Sequence, residues 1–270
     1  MMTAHHMLMY GCSEPGSDQR VWNCGEMAGS SSDFEKGPVC SQRSAEDVSR
    51  IIYAWAKDAP ALNLPEGVGF KVGGDTGVSY LVLQVHYMHK LDHKDNSGVT
   101  VHSTTEPLEK QAGVLLLASG GGMRPHTSEN FDMTCNIEDE VELHPFAFRT
   151  HTHKHGKVVS GWRVRDNQWT LLGKRDPQKP QMFYDVADKN AIIRQNDAVV
   201  ARCVMVNEED REVDIGATGD DEMCNFYLMY WVHGDNDLSR STCVSPGPPF
   251  FYLERDSDFQ NIPEDQMNKL

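Results

Sequence analysis

The chain has 270 residues, which is long enough to bury a sizeable core as one large domain or two of ordinary size. Its formal net charge of −15 argues against nucleic-acid binding, because no cluster of Lys and Arg offsets the repulsion by phosphates. The longest apolar runs, residues 80–85 and 114–119, are far too short to cross a bilayer, so no membrane-spanning segment is expected.

Seven cysteines are spread along the chain, and none forms the Cys-x-x-Cys pair that is typical of zinc or redox motifs. Dispersed cysteines in a strand-rich chain indicate disulfides made in an oxidising compartment. The segment from Met1 nevertheless has neither the basic start nor the apolar core of a signal peptide, and an odd number of cysteines leaves at least one without a partner in the chain. We therefore expect a secreted protein whose natural N-terminus precedes Met1.

The first segments of the chain predict a strand followed by a long loop. Residues 3–11 have the pattern of a short strand. Residues 12–43 are rich in Gly, Ser and Cys and show no clear period, which predicts a loop closed by a disulfide.

A helix is predicted next, over residues 44–59. Ser44 is a suitable N-cap with Asp47 three residues later. Pro60 limits the helix, because the residue before a proline resists the helical conformation. Apolar residues recur between these limits at helical spacing: Val48, Ile51, Ile52 and Trp55.

The remainder of the chain has the pattern of antiparallel strands. Residues 80–87 alternate and place Gln84 and His86 on one face. Asp166-Asn167 separates two strand-like segments and predicts a short hairpin. Further strands are predicted near residues 99–103, 111–118, 131–135, 139–153, 156–165, 168–174, 198–206 and 222–232.

Regular strands with turns and almost no helix predict an all-β fold of two antiparallel, jelly-roll-like β-sandwich domains with one short helix. Proline and charge interrupt the pattern at Thr105-Glu106-Pro107, where we place the boundary between domains 1–105 and 106–255. Residues 256–270 are polar and are predicted to form a loosely ordered tail.

His151 and His153 open the first of two groups of candidate metal ligands. At positions i and i+2 of a strand, both side chains project from one face, as a strand-borne metal site requires. The same alternation adds Arg149 to that face. Solvated surface histidines are the plain alternative, since Lys154 and His155 lie next to the pair.

Met223 completes this group. On a strand it shares one face with Asn225 and Tyr227. A lone methionine more often fills a core, so Met223 by itself does not indicate a metal.

His5, His6 and His86 form the second group. Adjacent residues of an ideal strand point to opposite faces, so shared ligation by His5 and His6 requires a local twist or a bulge. The alternatives are surface histidines for the terminal pair and a hydrogen-bonded buried histidine for His86. Taken together, five imidazoles and one thioether suit copper better than zinc, because methionine sulfur is a soft donor that favours Cu(I).

With their neighbours, these residues resemble the peptidylglycine α-hydroxylating monooxygenase family over roughly residues 1–245. The motifs that carry the resemblance are, in chain order, Thr3-Ala4-His5-His6-Met7-Leu8, Leu83-Gln84-Val85-His86-Tyr87, Arg149-Thr150-His151-Thr152-His153, Lys157-Val158-Val159-Ser160-Gly161, Gln168-Trp169-Thr170-Leu171 and Asp221-Glu222-Met223-Cys224-Asn225.

The resemblance implies two β-sandwich domains that each bind one copper ion. The ligands of the electron-transfer copper would be His5, His6 and His86. The ligands of the catalytic copper, which binds dioxygen and substrate, would be His151, His153 and Met223. The residues that anchor the substrate would be Arg149, Asn225 and Tyr227. Gln84 would take part in catalysis from a position between the two sites.

The reaction implied by the resemblance is hydroxylation of the Cα of a C-terminal glycine in glycine-extended peptides, with O2 as co-substrate and ascorbate as reductant. A separate lyase, as a partner domain or enzyme, would split the product to give an amidated peptide. The implied disulfides are Cys12–Cys40, Cys135–Cys243 and Cys203–Cys224. Cys24 would pair with a cysteine upstream of Met1.

Two other functions stay open. One is a related copper monooxygenase that hydroxylates a catecholamine side chain; Arg149 and Asn225 speak against it, since such a substrate carries an amine rather than a carboxylate. The other is a non-catalytic copper-binding module of the secretory pathway, inactive through truncation. The six intact ligands argue against loss of activity by mutation.

Overall fold

The computed structural model describes residues 4–25, 37–43, 49–56, 59–87, 91–216, 220–234 and 237–270, apart from the side chain of His5. The chain divides into two compact units, Met1–Gln111 and Ala112–Leu270. In the described part of both units, strands are the predominant regular secondary structure, which confirms the predicted all-β fold class. In the described part of the chain, no helix is long and apolar enough to span a membrane.

The first unit is organised around one antiparallel sheet. The strands of this sheet are β1 (Ala4–Cys12), β2 (Ser49–Ala56) and β4 (Tyr80–Tyr87). The short strand β3 (Val68–Gly69) lies outside it and pairs in parallel with Lys110 and Gln111. The sheet order is β2-β1-β4, so β1 lies in the middle and pairs on both edges. A disulfide between Cys12 and Cys40 ties the end of β1 to the following loop, and both cysteines are buried.

The helix predicted over residues 44–59 is wrong where the structure describes it, because Ser49–Ala56 is strand β2. Residues 44–48 and 57–58 lie outside the described residues. The apolar residues of this short segment run without a break from Ile51 to Ala56, a pattern that fits a helix or a strand, and the β-branched pair Ile51 and Ile52 favours a strand. Pairing with β1, which sets Trp55 against Met7, satisfies the backbone and decides between the two patterns.

The second unit is a sandwich of two antiparallel sheets. Its strands are β5 (Lys110–Ser119, whose first two residues belong to the first unit), β6 (Gly122–Met123), β7 (Thr127–Asn136), β8 (Glu142–Thr152), β9 (Gly156–Arg165), β10 (Gln168–Arg175), β11 (Tyr184–Asp185), β12 (Ile193–Arg194), β13 (Ala198–Asn207), β14 (Val213–Asp214), β15 (Cys224–His233) and β16 (Thr242–Ser245). One sheet has the order β10-β9-β13-β7, and the other runs β11-β8-β15-β5 with β16 added in parallel at its edge.

Side chains and disulfides from both sheets hold the sandwich together. The ring of Phe226 on β15 lies so close to Gly161 on β9 that a Cβ there would come within 2.1 Å of its Cζ. Two disulfides cross between the sheets, Cys135–Cys243 from β7 to β16 and Cys203–Cys224 from β13 to β15. These pairs are the ones that the resemblance implied.

Asp166 and Asn167 form the tight turn between β9 and β10, with φ of 50° and 57°. Positive φ at both central residues is the signature of a type I′ hairpin turn, so this prediction is confirmed. The strand predicted at 99–103 is wrong, because the described residues 91–109 contain no strand. Residues 99–103 are all exposed, so Val99 and Val101 form no buried face that would hold the segment as a strand.

The tail also differs from the prediction of a loosely ordered segment. Residues Glu264–Asn268 form the short helix α1, and Met267 is fully buried in a cluster with Trp162 and Leu253. The fully buried Arg202 donates to the carboxylate of Glu264 and to the Asn268 side chain. A few apolar anchors and one buried cation therefore fix a segment that is polar on average.

Candidate metal centre and substrate site

The candidate site of the second unit lies on neighbouring strands β8 and β15. The antiparallel register sets Asn225 directly opposite His151, and Tyr227 directly opposite Arg149. Residues that face each other across a strand pair project from the same side of the sheet. Two predicted anchors of substrate and one predicted metal ligand thus share a face with Arg149.

His151 and His153 lie side by side at the end of β8. Their ring centroids are 5.5 Å apart and their planes are nearly perpendicular. The Nδ1 of His151 faces the side-chain Oε1 of Gln181, and the Nδ1 of His153 lies 2.8 Å from the main-chain oxygen of Asp221. A ring that donates from Nδ1 carries its lone pair on Nε2, which is the tautomer that binds metals through Nε2.

Met223 lies one residue before β15 and is 8% exposed. Its sulfur is 4.0 Å from the amide nitrogen of Asn225, the residue paired with His151. The next residue, Cys224, is fixed to the opposite sheet by its disulfide to Cys203. The Met223 side chain therefore lies beside Asn225, directly before the strand that pairs with β8.

Glu222, which was not among the predicted site residues, organises this corner of the site. Its carboxylate is fully buried and accepts hydrogen bonds from the main-chain N–H groups of Met223 (2.7 Å), His155 (2.8 Å) and His153. One side chain thus ties together the backbones of two predicted ligands. Its position within the motif Asp221-Glu222-Met223 was the available signal.

Two glutamines of the segment between β10 and β11 support the same histidines. The Gln181 side-chain amide donates to the main-chain oxygens of Thr152 and Pro177, both at 2.8 Å, which orients its Oε1 toward His151. Gln178 donates to the main-chain oxygen of His153 at 2.6 Å. Nothing in the local sequence pattern marks these residues, because their role depends on which strand their loop covers.

Arg149 is held beside the histidines, and 4% of it is exposed. Its Nε donates to the main-chain oxygen of Gln181 at 2.8 Å, and its Cζ lies 5.0 Å from the centre of the Tyr227 ring. The side-chain amide nitrogen of Asn225 lies 3.5 Å from the hydroxyl oxygen of Tyr227. A guanidinium in this setting offers planar, charge-assisted recognition of a carboxylate.

In the first unit, His6 on β1 and His86 on β4 form a cross-strand pair. Their rings are stacked, with centroids 4.2 Å apart and an angle of 16° between the planes. The β1–β4 register shifts between Ala4 and His6, which is the irregularity that shared ligation by adjacent histidines requires. The side chain of His5 lies outside the described residues.

Gln84 lies two residues before His86 on β4 and opposite Leu8 on β1. It is a buried polar side chain, 3% exposed, and its Nε2 donates to the Sγ of Cys24 at 3.2 Å. Among the described cysteines, Cys24 is the one without a disulfide.

The donor sets fit the metal that the sequence predicted. Imidazoles that bind one ion at about 2.0–2.1 Å can have ring centroids up to about 6.5 Å apart, and the nearly perpendicular pair His151 and His153 lies within that limit. The stacked rings of His6 and His86 are also near enough, but their lone pairs lie in nearly parallel planes, so shared ligation there requires one ring to rotate. A thioether beside two imidazoles suits copper, whereas hard ions prefer oxygen donors. Within the described ranges, no group of three or more His, Cys, Asp and Glu converges as a metal site, and accordingly a trio in the second unit depends on Met223.

Comparison with known proteins adds independent evidence. Residues 1–94 match copper type II ascorbate-dependent monooxygenase, N-terminal domain, and residues 110–256 match the C-terminal domain of the same family. The chain is 42% identical over 271 residues to peptidyl-glycine alpha-amidating monooxygenase A of Xenopus laevis, an alignment that covers 98% of this chain and 26% of the relative. The corresponding monooxygenase of Mus musculus is 40% identical over 272 residues, covering 98% of this chain and 25% of that protein.

A more distant relative is dopamine beta-hydroxylase of Canis lupus familiaris, which is 26% identical over 254 residues, 88% of this chain and 39% of that protein. The chain spans about a quarter of the length of the amidating relatives. The two family matches together include every candidate ligand and anchor described above. The chain therefore belongs to the copper type II ascorbate-dependent monooxygenase family.

Proposed function

We propose that this chain hydroxylates the Cα of the C-terminal glycine of glycine-extended peptides, using O2 and ascorbate, as the first step of peptide amidation. The observation that carries the proposal is the register of β8 and β15, which groups Arg149 and Tyr227 with His151 and Asn225 on one face. This face is best suited to a substrate whose carboxylate binds next to the predicted redox metal.

Arg149 would bind the terminal carboxylate of the peptide. Its guanidinium is already oriented by the Gln181 main-chain oxygen and the Tyr227 ring, so little side-chain entropy is lost when a carboxylate binds. Asn225 and the Tyr227 hydroxyl would contact the same end of the peptide. Since these residues are 4–7% exposed, the bound carboxylate would be shielded from water, which strengthens the charged contact.

Fixing the carboxylate also fixes the carbon next to it. The glycine Cα would then lie on the face that carries His151, with Met223 beside Asn225. Copper held by His151, His153 and Met223 would supply redox chemistry with O2, and ascorbate the electrons; one oxygen atom enters the Cα–H bond and the other leaves as water. The chain contributes position, because holding the reacting groups together removes much of the entropic barrier.

His5, His6 and His86 would hold the second copper and relay electrons. Three imidazoles can serve both oxidation states, whereas the thioether of the other set favours the reduced state. Gln84 is buried and lies two residues before His86 on β4, so its side chain would project from the same face of the strand and support that histidine. The closeness of His6 and His86, whose ring centroids are 4.2 Å apart, supports this assignment, with rotation of one ring needed to direct both lone pairs at one ion.

Secretory localisation is part of the proposal. The three disulfides are typical of proteins that fold in an oxidising compartment. A lyase that cleaves the hydroxyglycine product would be a partner domain or a separate enzyme.

The test is ascorbate-dependent oxygen consumption by the copper-loaded chain with a glycine-extended peptide, followed by mass spectrometry of the product. We expect a product one oxygen atom heavier. Met223→Ala should nearly abolish turnover while the circular dichroism spectrum stays unchanged. A matched peptide with a C-terminal amide in place of the carboxylate should be turned over poorly, because it leaves Arg149 without its anionic partner.

Two further arms separate the alternatives. A phenethylamine substrate tests the catecholamine-type reaction, and its hydroxylation in preference to the peptide would replace the proposal with that function. Binding of two copper ions with no turnover of either substrate would identify a copper-binding module without catalytic activity.

A further inference from the structure

His155 is a buried histidine that lies between two carboxylates. Its side chain is 5% exposed. The Nδ1 lies 3.0 Å from Oε2 of Glu222, and the Nε2 lies 3.3 Å from Oε1 of Glu209. The imidazole thus bridges a fully buried acid and one nearer the surface.

The inner carboxylate connects this ring to the candidate metal centre. Oε2 of Glu222, which contacts the His155 ring, also accepts the His155 main-chain N–H, while Oε1 accepts the N–H of Met223 and of His153. The orientation of the Glu222 carboxylate therefore fixes the backbone at both predicted ligands. A ring bonded to one oxygen restricts rotation of the whole group.

The outer end of the bridge is anchored as well. Glu209 contacts Lys154 and is 2.8 Å from the Nε of Arg211. The hydrogen bond from Lys154, with the nearby charge of Arg211, holds the pKa of the Glu209 carboxyl below its usual value. In addition, the main-chain oxygen of His155 accepts from Val206 on β13 at 3.0 Å. The backbone of His155 is thus tied to β13, and its ring to a fixed anion that follows that strand in the chain.

We propose that His155 is a positioning residue for the His151–His153–Met223 copper site, acting through Glu222. It connects the rigid β13 side of the sandwich to the carboxylate that holds the backbones of His153 and Met223. This inference rests on the proposed function. It goes beyond the ligand set, because His155 contacts neither substrate nor metal in the assignment above.

The test uses the copper-loaded full chain and compares His155→Leu with the wild type. Leu removes both carboxylate contacts, while Glu222 keeps its main-chain donors, so the sandwich should fold. Copper K-edge absorption then reports on this site, because Met223 is the one sulfur donor in the proposed ligand sets; Met223→Ala supplies the baseline, which includes any sulfur contributed by the Cys24 thiol. The expected result is a weaker Cu–S contribution and roughly tenfold or greater loss of Cu(I) affinity at this site, the range seen when metal-orienting partners are removed.

Steady-state kinetics supply a second readout. Since Arg149, Asn225 and Tyr227 are unchanged, kcat should fall while KM for the glycine-extended peptide stays the same. The matched control is His126→Asn, which removes an exposed histidine–carboxylate contact to Asp210 and should change none of these signals. His126 has a φ of 53°, a conformation that Asn tolerates.

The outcomes distinguish the two claims. A wild-type chain that shows no Cu–S contribution overturns the proposed function itself. A His155→Leu variant with wild-type Cu–S signal, affinity and kcat, or with only a lower melting temperature, overturns the positioning role alone. If His155→Leu does not fold, Glu209→Ala removes only the outer anchor, and unchanged copper signals in that variant would equally refute the inference.

Discussion

Gln181 contacts two functional residues of different kinds: its side-chain Oε1 faces Nδ1 of His151, and its main-chain oxygen accepts a hydrogen bond from Nε of Arg149 at 2.8 Å. A predicted metal ligand and a predicted substrate anchor are therefore oriented by one loop residue. The distance between metal and substrate carboxylate would depend on this loop staying in place.

Because only the side chain of Gln181 supports His151, the two roles of this residue can be separated by mutation. In Gln181→Ala the carbonyl that holds Arg149 remains, so we expect KM for the peptide to change little. Copper affinity at the His151 site and kcat should each fall about 10- to 100-fold, as is typical when a hydrogen-bond partner of a ligating histidine is lost. Copper titration with a competing chelator and steady-state kinetics measure both.

The control for this prediction is Gln195→Ala. Gln195 also donates from its side-chain amide to a main-chain oxygen, that of Glu138 at 2.9 Å, but it has no contact with the site. Equal losses in both variants would show a general effect of removing a glutamine and contradict a specific role for Gln181.

Arg149→Lys tests the anchoring of the carboxylate. Lysine keeps the positive charge but loses the planar fork, so it cannot form paired hydrogen bonds to a carboxylate. We expect KM for the glycine-extended peptide to rise about tenfold or more, since a hydrogen bond to a charged group contributes roughly 1.5–3 kcal/mol. The copper content should remain that of the wild type.

The matched control is Arg175→Lys, because the Arg175 guanidinium also lies over a tyrosine ring, 3.8 Å from the centre of Tyr184. It is outside the candidate site, so its KM should be unchanged. A wild-type KM in Arg149→Lys would rule out carboxylate binding by this side chain.

How far the sequence predicts this site depends on which residues are considered. Alternation alone placed Arg149 with His151, and Asn225 with Tyr227, because each pair lies within one strand. It could not predict that Asn225 faces His151, since register between distant strands is set by the packing of the whole sheet. Glu222 and Gln181 were missed because a buried acceptor is recognised only once the donors around it are known.

The segment Ser49–Ala56 shows the same limit for the fold. Its apolar residues run without a break from Ile51 to Ala56, which fits a buried strand or part of a buried helix, and only the availability of β1 as a partner decides for the strand. The tail is the opposite case. Its polar composition does not predict the role of Met267, whose burial against Trp162 depends on a surface formed elsewhere in the chain.

The packing of the tail predicts that Met267 stabilises the second unit. Met267→Ala removes a fully buried side chain, so the free energy of unfolding should fall by about 2–5 kcal/mol. The neighbouring Gln266 is exposed, and Gln266→Ala should change the free energy of unfolding by less than about 0.5 kcal/mol. Urea unfolding followed by tryptophan fluorescence measures both, and equal stability of the two variants would indicate a tail that does not pack.

The close contact between Gly161 and Phe226 predicts a size limit in the centre of the sandwich. A methyl group at position 161 would lie 2.1 Å from Cζ of Phe226, and both residues are on strands that cannot move apart freely because Cys203–Cys224 joins the sheets. Gly161→Ala should therefore destabilise the fold by about 1–3 kcal/mol, the usual cost of overpacking a core. Phe226→Leu in the same chain shortens the side chain and should recover part of that loss.

Gly98→Ala, where no atom lies within 4 Å of the added carbon, is the control and should leave the melting temperature unchanged. If Gly161→Ala melted like Gly98→Ala, the two sheets would have to be farther apart at this point than Phe226 indicates.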